Sequence, residues 1–185
     1  MDIDSRDFFQ LSAQIDASSS SYRVSNPDNL AVIEVPSADV FERDVSVDNM
    51  TNCTVKLLGV PSTVHVTNLR DVTLLCGPVQ TSVFIENCSD CTFVLACQQL
   101  RTHSTTGSNF YLKVTSKGIV EDCRELMFAP YALDYPELLE HMEASGLSAD
   151  VNNWDKIDDF NWLHTGKQSP NWSVLPPQDR KTFSA

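Results

Sequence analysis

One segment of the chain places chemically capable side chains where an apolar strand would otherwise continue. Residues 97–107 read CQQLRTHSTTG, so two amides, Gln98 and Gln99, and the cation of Arg101 interrupt a run of apolar residues. A loop of small polar residues follows. An arginine guanidinium is planar and always charged, and its fork of N–H groups matches phosphate and carboxylate oxygens. This segment is therefore the first candidate for a functional site.

Cysteine and histidine residues are weaker candidates for chemistry. Only one C-x-x-C pair is present, Cys88 and Cys91, whereas a structural zinc site normally needs a second pair or nearby histidines. The four histidines lack metal-ligand spacing: His65, His103, His141 and His164. We expect no metal site. Because the start of the chain does not resemble a secretory signal, the six cysteines are expected to be reduced thiols packed in a core.

The loops with which proteins bind nucleotides are absent from the sequence. It contains no G-x-x-x-x-G-K-[ST] phosphate loop, no G-x-G-x-x-G and no G-x-S-x-G, and its six glycines leave little material for one. We therefore expect that the chain has no nucleotide site of its own.

An internal repeat predicts the scaffold that must position the segment. The stretches NMTNCTVKL, NLRDVTLLC and NCSDCTFVL begin at Asn49, Asn68 and Asn87, a constant step of 19 residues. Short β-rich runs and polar turns at such a step are typical of a coil whose turns stack on one another. A fourth, weaker copy begins at Asp122. The wider gap before it suggests an inserted loop at residues 102–109.

Alternation within each copy predicts which side chains face the core. The inward set is entirely apolar: Cys53, Val55, Leu57, Val72, Leu74, Cys76, Cys91, Phe93 and Leu95. The stacked Asn49, Asn68 and Asn87 are predicted to form turns, because asparagine tolerates left-handed backbone. We predict an all-β parallel β-helix. The alternative, an immunoglobulin-like sandwich, would not demand an identical step.

The segments outside the repeat have a different composition. Residues 1–29 are polar and are predicted to be a leader or linker, so that the domain spans residues 30–185. After the coil, Pro136 and Gly146 bracket a short helix with an apolar face, expected to cover the open end of the β-helix. The apolar residues of this helix are Leu138, Leu139 and Met142.

The remaining residues are predicted to wrap the domain as an ordered tail. They are rich in asparagine, aspartate and tryptophan. Trp154, Trp162 and Trp172 are the expected anchors, because an indole ring buries a large apolar area while its N–H finds a partner.

The segment at residues 97–103, CQQLRTH, resembles the signature of the tubulin-binding cofactor C family. That cofactor C-like (C-CAP) domain also occurs in an activator of Arf-like GTPases. Further matching stretches are IVEDC at 119–123, FAPY at 128–131, NNWDKIDDFNWL at 152–163 and SPNWSVLP at 169–176. The resemblance runs from about Val32 to Pro177. In the family the domain is a right-handed parallel β-helix, which agrees with the repeat.

The resemblance implies a GTPase activator that acts in trans on another protein. The family's arginine finger corresponds to Arg101, a neighbouring amide to Gln98, and an acidic support residue to Glu121. Gln99 and Phe160 are implied to contact the partner. GTP and Mg²⁺ would belong to that partner, so no cofactor is expected on this chain.

The implied partner is β-tubulin in the αβ-tubulin heterodimer, together with tubulin cofactors D and E. One alternative is an Arf-like small GTPase, and another is a non-enzymatic role like that of the β-helix in cyclase-associated actin-binding proteins. A formal charge of −12 and a pI near 4.5 disfavour nucleic acid and anionic membrane surfaces, which would repel this chain. The expected location is cytoplasmic and associated with the cytoskeleton.

Overall fold

Parallel strands dominate residues 20–185, the part of the chain that the computed structural model describes. The elements are β1 Ser21–Val24, β2 Val32–Val35, α1 Ser37–Val40, β3 Asp44–Leu57, β4 Thr63–Pro78, β5 Ser82–Glu86, β6 Thr92–Cys97, β7 Gln99–His103, β8 Asn109–Val114, β9 Gly118–Glu121, β10 Leu126–Pro130, β11 Leu133–Asp134, α2 Leu138–Ser145, β12 Ile157–Asp159, β13 Trp172–Val174, a 3₁₀ helix Pro177–Asp179, and β14 Phe183–Ser184.

Parallel pairing arranges these strands in two faces. Face A contains β1, the first halves of β3 and β4, and then β5, β7, β9 and β12. Face B contains β2, the second halves of β3 and β4, and then β6, β8, β10 and β13. Each coil is hydrogen bonded to the next on both faces, so the predicted all-β parallel β-helix is confirmed.

Left-handed backbone marks the turn between the two faces. As predicted, φ is positive at Asn49, Asn68 and Asn87. It is positive again three residues later in each coil, at Asn52, Asp71 and Asp90. Short Asn and Asp side chains tolerate this conformation better than other residues with a Cβ. The turns also stack, since the Asn68 side-chain NH₂ donates to the side-chain oxygen Oδ1 of Asn49 at 3.0 Å.

The prediction of an inserted loop at residues 102–109 is wrong. These residues form the end of β7, a turn and the start of β8, which is one further complete coil. Thr105 and Ser108 occupy the places that Cys88 and Cys91 hold one coil earlier. Their buried hydroxyls accept hydrogen bonds from the backbone N–H groups of those two cysteines, at 3.4 and 3.1 Å. Polar residues therefore continue the stack without leaving backbone donors unpaired.

The core lies between the two faces. All nine side chains predicted to point inward are buried, none with more than 6% of its surface exposed. Phe93, Phe110 and Phe128 stack in consecutive coils of face B, with ring centroids 5.0 and 4.9 Å apart. The alternation in the repeat therefore identified the core correctly.

A second apolar cluster covers the outside of face B. Leu75, Val94 and Tyr111 project outward from this face and pack against Leu133 and Leu175 of the C-terminal segment. The predicted wrapping tail is thus confirmed. The outer surface of face A, by contrast, carries exposed residues on β5, β7 and β9.

Two of the three predicted tryptophan anchors are confirmed. Trp154 and Trp172 pack against the main core. Trp162 does not: its indole N–H donates to the Lys167 carbonyl at 3.1 Å, and its ring lies 4.8 Å from that of His164. Trp162 therefore organises its own loop instead of anchoring the tail to the core.

The position predicted for the short helix is wrong. Helix α2 packs beside β4, and its residue His141 shares a small depression with Ser37 of α1. The last coil is extended by the tail strands β12 and β13, which pair with β9 and β10. Leu139, part of the predicted apolar face, is 81% exposed. The stop at Gly146 is confirmed, with φ of 71° and its N–H bonded to the Glu143 carbonyl.

The core begins earlier than the predicted boundary near Leu30. Strand β1 pairs with β3, and its residues Tyr22 and Val24 are buried in the core. Residues 1–19 of the predicted leader lie outside the described residues. In residues 20–185 each helix is too short or too polar to cross a lipid bilayer.

Candidate functional site

Strand β7 presents alternate side chains on the outer surface of face A. Leu100 and Thr102 are buried in the core, at 0% and 2% exposure. Gln99 and Arg101 are exposed, and His103 is half-buried. Since side chains alternate along a strand, Gln99, Arg101 and His103 share the outward side.

Arg101 lies in a shallow depression of about 260 Å³. In register, Phe84 of β5 precedes it and Ile119 of β9 follows it. The depression is lined by Phe84, Ile85, Glu86, Arg101, Thr102, His103, Ile119 and Glu121. Within residues 20–185, the Arg101 guanidinium makes neither a hydrogen bond nor an ion pair. The Arg101 guanidinium is therefore exposed to solvent, between the apolar neighbours Phe84 and Ile119.

An aromatic pair borders the depression on the side of the earlier coils. The Phe84 ring, 36% exposed, stacks on the His65 ring with centroids 4.9 Å apart and planes inclined by 24°. The backbone pairing of β4 with β5 holds the two residues side by side. This stack fixes an apolar surface next to Arg101.

Glu121, the predicted support residue, lines the same depression. It is the exposed last residue of β9, in register with His103. Among the described residues no ion pair within 4.0 Å joins its carboxylate to Arg101. The structure therefore brings Glu121 and Arg101 together on one surface, and the supporting role of Glu121 stays a prediction.

The two glutamines lie at the edge of this surface. Gln98 is an exposed corner residue between β6 and β7, and its backbone is bonded to Thr81 and Ser116 at 2.9 Å each. Gln99 is the exposed first residue of β7. Neither Gln98 nor Gln99 is among the residues that line the depression of Arg101. Both amides are accessible, and their roles in contacting a partner stay predictions.

Phe160 joins the site from the C-terminal tail. Its backbone N–H donates to the Val120 carbonyl at 3.0 Å, which continues the pairing of β12 with β9. The register places Phe160 next to Glu121, and its side chain is 46% exposed. Arg101, Gln99, Glu121 and Phe160 therefore lie on face A or continue its strands, and Gln98 lies at the corner beside it.

Asp159 fixes the loop that carries Phe160. Its carboxylate accepts hydrogen bonds from the Ser169 hydroxyl, from the Asn171 amide at 2.7 Å and from the Asn161 backbone N–H at 2.9 Å. Partial burial acts to raise the pKa of Asp159, but the three hydrogen bonds outweigh it, so this pKa lies below its usual value. The ionised carboxylate is thus the form that the folded loop favours.

Asp159→Asn should destabilise the fold in a pH-dependent way. Because folding lowers the pKa of Asp159, its ionised carboxylate stabilises the folded state fully above the unfolded pKa of about 3.9. This stabilisation is lost as pH falls through the folded-state pKa. We expect a loss of about 1 kcal/mol at pH 7, since the group is partly exposed. Urea unfolding of both proteins at pH 7 and pH 3 measures the difference. A loss of equal size at both pH values would contradict this account.

His103 is a site residue that sequence reasoning missed. Its Nδ1 lies 3.3 Å from Glu86 Oε1 and its Nε2 lies 3.1 Å from Asp122 Oδ2. Hydrogen bonding to Glu86 raises the pKa of His103, and so do the hydrogen bond to Asp122 and the charges of Asp122 and Glu121, which together outweigh the lowering by desolvation. The Asn161 side-chain amide donates to Asp122 Oδ1 at 3.1 Å. These contacts tie the coil of Arg101 to the loop of Phe160.

The cysteines are packed as thiols. All six are buried and none is joined in a disulfide. Cys88 and Cys91 each donate a hydrogen bond from Sγ to a backbone carbonyl, of Glu86 and Ser89 respectively. Burial raises the pKa of Cys88 to about 12 and that of Cys91 to about 11. In residues 20–185 no three His, Cys, Asp or Glu residues are grouped as metal ligands.

Comparisons with known proteins agree with this geometry. The family model described as tubulin binding cofactor C matches residues 42–160. Tubulin-specific chaperone C from Homo sapiens is 50% identical over 149 residues, which are 80% of this chain and 43% of that protein. Tubulin-folding cofactor C from Arabidopsis thaliana is 40% identical over 137 residues, which are 74% of this chain and 39% of that protein.

A solved structure extends the agreement to the fold. Tubulin Binding Cofactor C from Leishmania major superposes with a TM-score of 0.65 at 26% identity, covering 74% of this chain and 92% of that one. The chain spans less than half the length of the curated human and plant relatives. The family match includes β7 with Arg101 and ends at Phe160. The chain therefore belongs to the tubulin binding cofactor C family.

Proposed function

We propose that this domain activates GTP hydrolysis by β-tubulin in the αβ heterodimer, acting in the cytoplasm with tubulin cofactors D and E. Arg101 would reach the nucleotide bound by tubulin. The observation that supports this most directly is that Arg101 is exposed and unpaired within residues 20–185, on a strand of a cofactor C domain that is paired on both sides. The relatives' names, tubulin-specific chaperone and tubulin-folding cofactor, support the choice of partner.

A single guanidinium can account for such an activity. In GTP hydrolysis, negative charge spreads over the phosphoryl oxygens in the transition state, and a planar cation stabilises it with directional hydrogen bonds. An arginine supplied in trans raises the rate by about 10³–10⁵-fold, which is about 4–7 kcal/mol of barrier. GTP and Mg²⁺ would come with the partner. This chain would supply the cation and the surface that docks it.

The surroundings of Arg101 suit a protein partner. Phe84 and Phe160 expose aromatic surface on the two sides of Arg101, at 36% and 46%. Exposed aromatic side chains are frequent anchors at protein interfaces. Glu86 and Glu121 add negative charge at the edge of the depression, so a partner with basic residues around its nucleotide fits best.

Phe84→Ala should weaken docking more than folding. We expect the concentration of domain needed for half-maximal stimulation to rise about five- to thirtyfold, as for an interface anchor worth about 1–2 kcal/mol. The maximal rate should change little, because Arg101 is intact. Titrating the domain into a GTP-turnover assay measures both quantities. An unchanged titration curve would exclude Phe84 from the docking surface.

The proposed function is tested by measuring GTP turnover with purified tubulin and cofactors D and E, with and without the domain. We expect the domain to accelerate turnover. A parallel reaction with a GTP-loaded Arf-like GTPase, and a binding assay with actin, test the alternatives. Stimulation of the Arf-like GTPase alone, or binding to actin without any effect on turnover, would contradict the proposal.

A further inference from the structure

Arg101 is unpaired on a surface that is rich in carboxylates. Glu86 and Glu121 line its depression, and Asp122 follows Glu121 directly. Glu86 and Glu121 both lie in register with His103, two positions along the coil from Arg101. Long side chains at such diagonal positions are within reach of one another. A chain of charge −12 would be expected to neutralise this cation, so the free guanidinium needs an explanation.

His103 provides that explanation, because it engages two of the three carboxylates. Its ring nitrogens face Glu86 Oε1 at 3.3 Å and Asp122 Oδ2 at 3.1 Å. Asp122 is held from its other side by Asn161, whose amide oxygen accepts the Asp122 backbone N–H at 2.6 Å and whose NH₂ donates to Asp122 Oδ1. Both carboxylates are therefore oriented towards His103.

We propose that His103 is a positioning residue that keeps Arg101 free by holding the Glu86 and Asp122 carboxylates away from the guanidinium. This inference rests on the proposed function, in which Arg101 meets a phosphoryl group of the partner. An arginine already paired with a carboxylate would have to break that ion pair before it could act. His103 removes the competition from Glu86 and Asp122 before docking, and leaves Glu121 for its predicted supporting role.

The protonation state of His103 controls the arrangement. Both ring nitrogens face carboxylate oxygens, so both must carry a proton to donate, and only the imidazolium does so. The groups around the ring are Glu86 from β5, Glu121 and Asp122 at the end of β9, Arg101 on β7 itself and the Ser104 hydroxyl at 3.3 Å. When pH rises through the pKa of His103, one carboxylate loses its donor. Arg101, which lines the same depression, is then available to Glu86 as an alternative cation.

The first test observes Arg101 directly and needs no GTPase. NMR of the Arg101 Nε–Hε group gives its exchange rate with water in the wild type, in His103→Gln and in His103→Gln/Glu86→Gln. We expect exchange to slow about two- to fivefold in the single variant, as for an exposed ion pair, and to recover in the double variant. An unchanged rate in His103→Gln would overturn the inference, whatever the activity assays show.

The second test measures stimulated GTP turnover from pH 6 to pH 8.5, each variant as a ratio to wild type so that the partner's own titration cancels. We expect His103→Gln to be about two- to fivefold less active at low pH and to approach wild type at high pH. Glu86→Gln should restore activity in the double variant. His141→Gln, on helix α2 and outside the depression, is the control and should follow wild type. A ratio independent of pH, or a double variant without recovery, would contradict the proposal.

Discussion

Arg101→Ala is expected to remove nearly all of the GTP turnover that the domain stimulates. The loss should be about 10³–10⁵-fold, or about 4–7 kcal/mol, because in the proposed mechanism the guanidinium stabilises charge that develops only in the transition state. Arg101 is exposed and makes no contact that the fold needs within residues 20–185. Stability should therefore be unchanged. Single-turnover hydrolysis at saturating domain, with thermal unfolding in parallel, measures both effects.

Two further variants make this prediction specific. Arg101→Lys should be almost as inactive as Arg101→Ala, because an ammonium group keeps the charge but cannot reproduce the guanidinium fork. Arg70→Ala removes another exposed arginine, from the turn between the faces, and should act as wild type. If Arg101→Ala stimulated turnover as wild type does, an arginine finger at this position would be excluded.

Phe110→Ala should be the most damaging substitution for the fold. Phe110 is fully buried between Phe93 and Phe128 in the aromatic stack of face B. Deleting its ring should cost about 3–5 kcal/mol, since the flanking coils are hydrogen bonded and cannot collapse into the cavity. For a chain of this size the midpoint of thermal unfolding should fall by about 6–20 °C. Calorimetry or circular dichroism measures the change.

Phe41→Ala is the matched control for this prediction. It deletes the same ring from a residue that is 50% exposed, so the midpoint should change little. Equal shifts in the two variants would show that the stack of three rings contributes no more than a surface aromatic residue. Neither Phe110 nor Phe41 lies in the depression of Arg101, so these two variants test the fold and not the proposed docking surface.

The fold could be predicted wherever the repeat was regular. Cys53, Val72 and Cys91 recur at the same step, so alternation alone assigned them to the core. The next coil was not predicted, because Thr105 and Ser108 stand where earlier coils have cysteines and so break the apolar pattern. Their hydroxyls can point inward because they accept hydrogen bonds from backbone N–H groups. The place of α2 could not be predicted either, since a weak apolar face does not say which coil it packs on.

The resemblance named the candidate site residues one by one, but not the contacts between their strands. The family resemblance selected Arg101, and the structure shows why it faces outward, since Leu100 and Thr102 on either side of it are buried. The contacts of His103 with Glu86 and Asp122 depend on the register of three coils, of which the later ones depart from the 19-residue step. Phe160 likewise lies next to Glu121 only because β12 pairs in register with β9. Contacts between coils therefore required the three-dimensional structure.

The strand that carries Arg101 is hydrogen bonded to β5 on one side and to β9 on the other. Many catalytic cations sit on loops and lose conformational freedom when the complex forms. In the proposed complex only the side-chain rotamers of Arg101 would need to be ordered, because folding has already fixed its backbone. Most of the entropic cost of bringing the guanidinium to a partner would thus be met before that partner binds, and more binding energy would be left for the reaction.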